Sequence, residues 1–200
     1  MGYIPTSKIV DVTVQPILWL RADKGVTTDS NNKVSNWTNQ INPLTYEATQ
    51  SVEENRPLYT KDPVSGKSCI YFTNTTWLRQ LTTIDIKTMV TVFNYTLNTT
   101  FQSYINIIRP QTVADNYYFM GDNGSTYLYD SGVFINNLRV NGVAGTSLGI
   151  LSKNKVVSGR NTMGYVNSGG FWIGGGSIGS QQNLTGNIYE ILCYDSVLSV

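Results

Sequence analysis

Tyr118, Tyr127 and Tyr129, with Asp122 between them, are the side chains whose spacing offers this 200-residue chain the clearest chemistry. The run Asn116-Tyr117-Tyr118-Phe119 and the alternation Tyr127/Tyr129 flank Gly121-Asp122-Asn123-Gly124, a sequence whose residues tolerate positive φ and suit a hairpin turn. In strands joined by such a turn, alternation places several aromatic rings on the faces of one hairpin. Aromatic faces stack on the apolar side of a sugar ring, and Asn, Asp and Gln hydrogen-bond its hydroxyls. With 13 Tyr, 4 Trp and 12% aromatic residues, the composition supplies both partners. Tyr118, Asp122, Tyr127 and Tyr129 are therefore the ligand-binding candidates, although alternating aromatics also serve as core or cross-strand pairs.

Other chemistries fall away on residue type. The chain has no His, which removes Ser-His-Asp and Cys-His nucleophilic arrangements and histidine-ligated zinc. Glycoside hydrolysis needs two carboxyl groups flanking the scissile bond. The glutamates do not provide them: Glu47, Glu53 and Glu54 lie in a polar stretch, and Glu190 stands alone near the end. A Ca²⁺ ion would draw on Asp23, Asp29, Asp115, Asp122 or Asp130, but none has EF-hand spacing and Asp-Asn-Gly is first a turn sequence, so no cofactor is assigned. Gly174-Gly175-Gly176-Ser177-Ile178-Gly179 lacks the Lys-Ser/Thr end of a phosphate loop and reads as an inter-strand loop. Cys69 and Cys193 sit in apolar strand-like runs and read as buried free thiols.

Charged residues reach only 14%, against roughly 25% in ordinary globular chains, so neutral polar side chains must cover the surface. A formal net charge of +1 without a Lys/Arg cluster leaves no footprint for nucleic acid or anionic lipid. No apolar run approaches the roughly 18 residues of a membrane helix, which points to a soluble protein with no membrane partner. The start, Met1-Gly2-Tyr3-Ile4-Pro5-Thr6-Ser7-Lys8, has no secretory-signal pattern. Asn-x-Ser/Thr sequons begin at Asn36, Asn74, Asn94, Asn98, Asn123 and Asn183. A chain this rich in Asn and Thr produces them by chance, so they are read as coincidence.

Helical periodicity is absent, and short apolar or alternating runs bounded by Gly, Asn, Asp and Pro recur. Strands are predicted over 9–14, 17–20, 67–72, 88–95, 103–108, 117–120, 126–129, 133–140, 155–158, 170–174 and 186–194. Asn141-Gly142 is a second hairpin turn. The segment from Arg21 to Pro57 reads instead as a long polar excursion anchored by Trp37 and Tyr46. Residues 1–16 read as an N-terminal arm, and 17–200 as one domain.

Leu18-Trp19-Leu20-Arg21-Ala22-Asp23 is followed by Val34 to Gln40 around Trp37, then by Ala48-Thr49-Gln50 and Arg56-Pro57-Leu58-Tyr59. Gly66 to Phe72, Thr88 to Phe93, Ile173-Gly174 and the closing Gly186-Asn187-Ile188-Tyr189-Glu190-Ile191-Leu192-Cys193-Tyr194-Asp195 complete the order. Taken together, these motifs resemble the laminin-G-like, concanavalin-A-like jelly-roll superfamily of bacterial and phage type, the first of them being similar to its first core strand. Thr38 stands where members often carry an acidic residue, and the short helical tail that follows the equivalent of Leu198-Ser199 in members is either missing or part of a longer parent chain. The resemblance implies an all-β, two-sheet antiparallel sandwich with Trp19 and Trp37 as core anchors and Glu190 as a structural hydrogen-bonding residue. Glycosidases of that fold carry Glu-x-Asp-x-x-Glu on one strand, a spacing absent here.

The expectation is a non-catalytic surface module that binds glycan or another host or cell-surface polymer, in a phage virion appendage or decoration protein or a bacterial adhesin. Its setting would be a virion or cell surface, with other virion or surface-protein subunits as partners. The rival is a capsid or fibre packing element that self-associates as a homo-oligomer through a sheet face or the 4–14 arm. A polysaccharide-cleaving enzyme stands third.

Overall fold

The computed structural model describes residues 14–96, 104–110, 119–122, 128, 134, 137–150, 152–162, 169–175 and 183–199. The strands are β1 (Leu18–Arg21), β2 (Val26–Thr28), β3 (Val34–Trp37), β4 (Ala48–Thr49), β5 (Leu58–Lys61), β6 (Ser68–Phe72), β7 (Leu78–Gln80) and β8 (Thr88–Tyr95). They continue with β9 (Tyr104–Pro110), β10 (Phe119–Asp122), β11 (Leu138–Val140), β12 (Val143–Ala144), β13 (Lys155–Arg160), β14 (Phe171–Ile173) and β15 (Gly186–Tyr194). They form two antiparallel sheets packed as a sandwich. The first runs β12-β11-β13-β8-β15-β6-β5 with β1 also on β15, and the second runs β10-β9-β14-β7-β4-β3-β2.

Alternation decides which side chains enter the sandwich. On β1, Leu18 and Leu20 are buried while Trp19 and Arg21 face outward, and on β14, Phe171 and Ile173 are buried on either side of half-buried Trp172. The inward set from both sheets forms one core around Trp37, Phe72, Phe93, Phe119, Phe134 and Phe171. Burial of side chains this size stabilises by about 1.5–3 kcal/mol each. Trp19 is thus corrected from core anchor to outer-face residue, because the pleat that buries Leu18 and Leu20 turns it away.

The stretch from Arg21 to Pro57 is not a plain excursion. It contributes β2, β3 and β4, a complete edge of the second sheet, and Val34, Trp37 and Ala48 from it are fully buried. Asn141 (φ 52) and Gly142 (φ 83) form the expected two-residue turn between β11 and β12, both central residues having the positive φ that such a turn requires. The strand predicted over 133–140 is shorter, with β11 starting at Leu138 and Phe134 buried in a turn. Of the predicted 9–14 strand, only Val14 is described, and it is not in a strand.

β15 organises the first sheet. It pairs with β8 along its whole length, and its other edge is divided: Gly186 to Ile188 face β6 and Glu190 to Cys193 face β1. A register shift between Ile188 and Glu190 leaves Tyr189 as the extra residue of a bulge. Ile188 and Ile191 stay in the core, while Tyr189 reaches the outer side of the sheet. Gly186 is where β15 crowds the Asn94 carbonyl and Tyr95, a separation that a Cβ would not allow.

There Tyr189 joins a buried polar network. Its hydroxyl donates to the Asp62 carboxylate. The Asn94 amide donates to the Tyr189 hydroxyl (2.9 Å) and to Asn154 Oδ1 (2.8 Å), and its oxygen accepts from Asn187 Nδ2 (3.0 Å). Asp62 also accepts from the Val64 and Ser65 amides of the turn after β5, so the network ties β8 and β15 to that turn and to the segment before β13. Cys69 lies beside it, donating to Asn187 Oδ1 at 3.3 Å, with burial and then the Asp62 charge pushing its thiol to about 11. Cys69 and Cys193 are both buried and free.

Burial works to raise the Asp62 carboxyl, but the Tyr189 hydroxyl and the Ser65 and Val64 amides outweigh it and hold its pKa below the ordinary 3.8. The folded state therefore favours the ionised form. Stability from this group is present above the ordinary Asp range and is lost as pH falls through the depressed value. Tyr189→Phe is expected to lower the unfolding free energy by about 1–3 kcal/mol at neutral pH in urea titrations. The gap to the parent should close in acid, and a gap that stays constant would separate Tyr189 from the Asp62 charge.

Candidate functional site

The outer face of the second sheet carries the most suggestive arrangement. Successive cross-strand partners there are Arg109 on β9, Trp172 on β14, Arg79 on β7, Thr49 on β4 and Asn36 on β3. Directly opposed residues of antiparallel strands share a face, so the register itself sets this row. The two central members are held outward by buried neighbours: Leu78 and Gln80 flank Arg79, and Phe171 and Ile173 flank Trp172. Gly170 lets β14 close on β7, since a Cβ there would run into the Gln80 carbonyl.

The Arg79 guanidinium lies 5.0 Å from the centre of the Trp172 ring, a cation–π contact worth about 0.5–1 kcal/mol where solvent reaches it. Trp77, two residues before Arg79 and on the same side, meets Trp172 edge to face, with ring centres 4.7 Å apart and planes at 74°. Beside Arg79 opens a cleft of 360 Å³, within the roughly 300–1,000 Å³ of small-molecule sites. Trp77 and Leu81 give it apolar surface, and Ser35, Thr49, Gln50 and Ser51 give it neutral polar groups. Among the described residues its lining contains no carboxyl or thiol group.

Arg56, the cleft's second cation, is a wall tie. Its Nε donates to the Gln50 carbonyl (3.0 Å), Nη2 to the Ser51 carbonyl (3.2 Å), and Nη1 pairs with Asp29 Oδ2 (3.3 Å). Buried Gln50 donates to the Trp77 carbonyl at 3.2 Å and accepts from the Val52 amide at 3.0 Å, fixing the wall against the floor. Burial works to raise Asp29, but the Lys33 and Asn31 amides and Arg56 hold it below its ordinary value.

The first sheet carries a second arginine–tryptophan pair on its outer face. Arg21 lies 5.0 Å from the Trp19 ring centre, and the Trp19 indole donates to Glu190 Oε1 at 2.6 Å. Arg21 is also paired with Asp23 at 2.7 Å. This group is closed on itself, and Glu190 has the hydrogen-bonding part that the resemblance implied. Burial holds the Glu190 carboxyl above its ordinary value, only partly offset by Trp19 and Arg21.

The candidates read from sequence are only partly among the described residues. Tyr118, Tyr127 and Tyr129 lie outside the described residues. Asp122, expected in a turn, is the last residue of β10, its backbone opposite Tyr104 of β9, so the chain at Gly121 and Asp122 extends the ladder instead of reversing. Leu128, from the second predicted arm, is buried and donates its amide to the Thr146 carbonyl. Asp115 and Asp130 are likewise outside the described residues, while Asp23 and Asp29 are paired with arginines. Two sequon asparagines, Asn94 and Asn183, are buried with their amides hydrogen-bonded inside the fold. Sequence reasoning missed Trp77, Arg79 and Trp172 as a group. The pattern Phe171-Trp172-Ile173 does mark Trp172 as outward-facing, but nothing local places it opposite Arg79.

No protein family, curated protein or solved structure matches the chain.

The raised Glu190 carboxyl has a measurable consequence. A carboxyl held above its unfolded value adds stability below that unfolded value and loses it as pH rises through the folded one. Glu190→Gln stays neutral and can still accept from the Trp19 indole. Its melting temperature should match the parent's in acid and exceed it at neutral pH. A variant less stable than the parent at neutral pH would show that the ionised carboxylate is the better partner for Trp19 and Arg21.

Proposed function

We propose that this chain is a non-catalytic binding module of the laminin-G-like, concanavalin-A-like type, and that the cleft beside Arg79 recognises a glycan of a cell or particle surface. One observation carries the reading: a cleft the size of a sugar unit combines the apolar surface of Trp77 and Leu81 with hydroxyl, amide and guanidinium donors. That mixture suits a pyranose ring, which has an apolar face and a hydroxyl rim. Supporting it, the cleft wall is already held by Arg56 and Gln50, so little ordering entropy is lost when a ligand enters. The closing-strand motif and the sandwich itself agree with the family resemblance. A virion appendage or bacterial surface is the setting that the resemblance and the sparsely charged composition favour.

A glycan array and a pull-down on a panel of bacterial cells test the reading with the folded domain, and binding to neither sinks it. Thr49→Trp places a large side chain in the cleft from an outward position on β4 and should abolish binding while leaving the core intact. Trp172→Ala, which withdraws the ring against which Arg79 rests, should weaken it by about 2 kcal/mol, roughly thirtyfold in Kd by titration calorimetry.

A further inference from the structure

We infer that the ligand of this cleft carries a carboxylate, as a uronic or other acidic sugar does, and that Arg79 is the residue that selects it. The inference rests on the reading of the cleft as a glycan site and adds its charge. Arg79 lines the cleft with its guanidinium set against Trp172. Among the described residues, none of the ion pairs engages it. Among the described residues, Asp29 holds Arg56 and the Asn31 and Lys33 amides, Glu47 accepts the Asn36 amide, and Glu53 pairs with Lys33.

A guanidinium is a rigid planar fork whose N–H groups match the two oxygens of a carboxylate. Packing against an aromatic ring restricts its rotation, so less entropy is lost when that fork engages a ligand. The chain as a whole carries only +1, so the attraction is confined to this face and is not a general affinity for polyanions.

The test compares an oligogalacturonate with its neutral galactose counterpart by titration calorimetry, at low and high salt, on the intact chain. The parent should bind the acidic sugar at least about tenfold more tightly, the size expected of a charge-assisted hydrogen-bonded pair, and the preference should shrink as salt rises. Arg79→Gln should erase the preference, lowering the acidic sugar's affinity at least about tenfold more than the neutral sugar's. Arg79→Lys, which keeps the charge and loses the fork, should retain only part of it. Equal binding of the two sugars by the parent, or a preference that survives Arg79→Gln, overturns the carboxylate inference and leaves the glycan reading standing. Binding of neither sugar, with Thr49→Trp indistinguishable from the parent on the array, overturns both.

Discussion

The divided edge of β15 is the constraint on which the first sheet depends. A single strand of nine residues must satisfy β8 along one side and two different strands end to end along the other. Backbone N–H and C=O groups inside a sandwich cannot remain unpaired, so the junction between β6 and β1 has to fall where β15 changes pitch. The bulge at Tyr189 meets that need. It also turns Tyr189 toward the Asp62 network and Glu190 toward Trp19, so one irregularity supplies the outer-face anchor on each half of the strand. Because β1 contributes Leu18 and Leu20 to the common core, a fault in this junction would reach the second sheet as well.

The two arginine–tryptophan pairs show how similar local geometry can lead to different roles. On the first sheet, the indole donates to Glu190 and the guanidinium holds Asp23, so the group's hydrogen-bonding capacity is turned inward. On the second sheet, Arg79 has the same ring distance but borders a cleft, and the nearby carboxylates have other partners. A half-buried donor beside an open cleft leaves hydrogen-bonding capacity toward solvent, whereas a closed pair uses it within the fold. Arg56 confirms the contrast, since its charge stays at the cleft wall but its donors are engaged with Gln50, Ser51 and Asp29.

Legibility from sequence followed element length and hydrophobic content. The strands Thr88–Tyr95 and Gly186–Tyr194 coincide with the predicted runs, because long stretches with many inward apolar residues carry a strong signal. The second sheet's β2, β3 and β4 were hidden in a polar stretch. They are two to four residues long, and their outward positions are Ser, Asn and Thr, so no window shows enough alternation. Trp37 was legible as an anchor, while Trp19 was misplaced because the family resemblance was followed over the alternation of Leu18 and Leu20 around it. The Tyr189 bulge left no mark in the sequence at all. The site was the least legible part, since Arg79 and Trp172 are distant in sequence and meet only through the β7–β14 register.

Sparse charge sharpens what that register achieves. In a protein crowded with ionisable side chains, a guanidinium on a sheet face would find a carboxylate within reach and lose its selectivity to a surface ion pair. Here charged residues are only 14% of the chain, and Asp29, the carboxylate that reaches the cleft wall, is taken up in holding Arg56. Replacing neutral Ser35, Thr49 or Ser51 with an acidic residue would neutralise Arg79 from inside the cleft without altering a strand. The neutral hydroxyls around Arg79 are therefore as much a part of the cleft's electrostatics as the arginine, because they line it without adding a charge that would pair with the guanidinium.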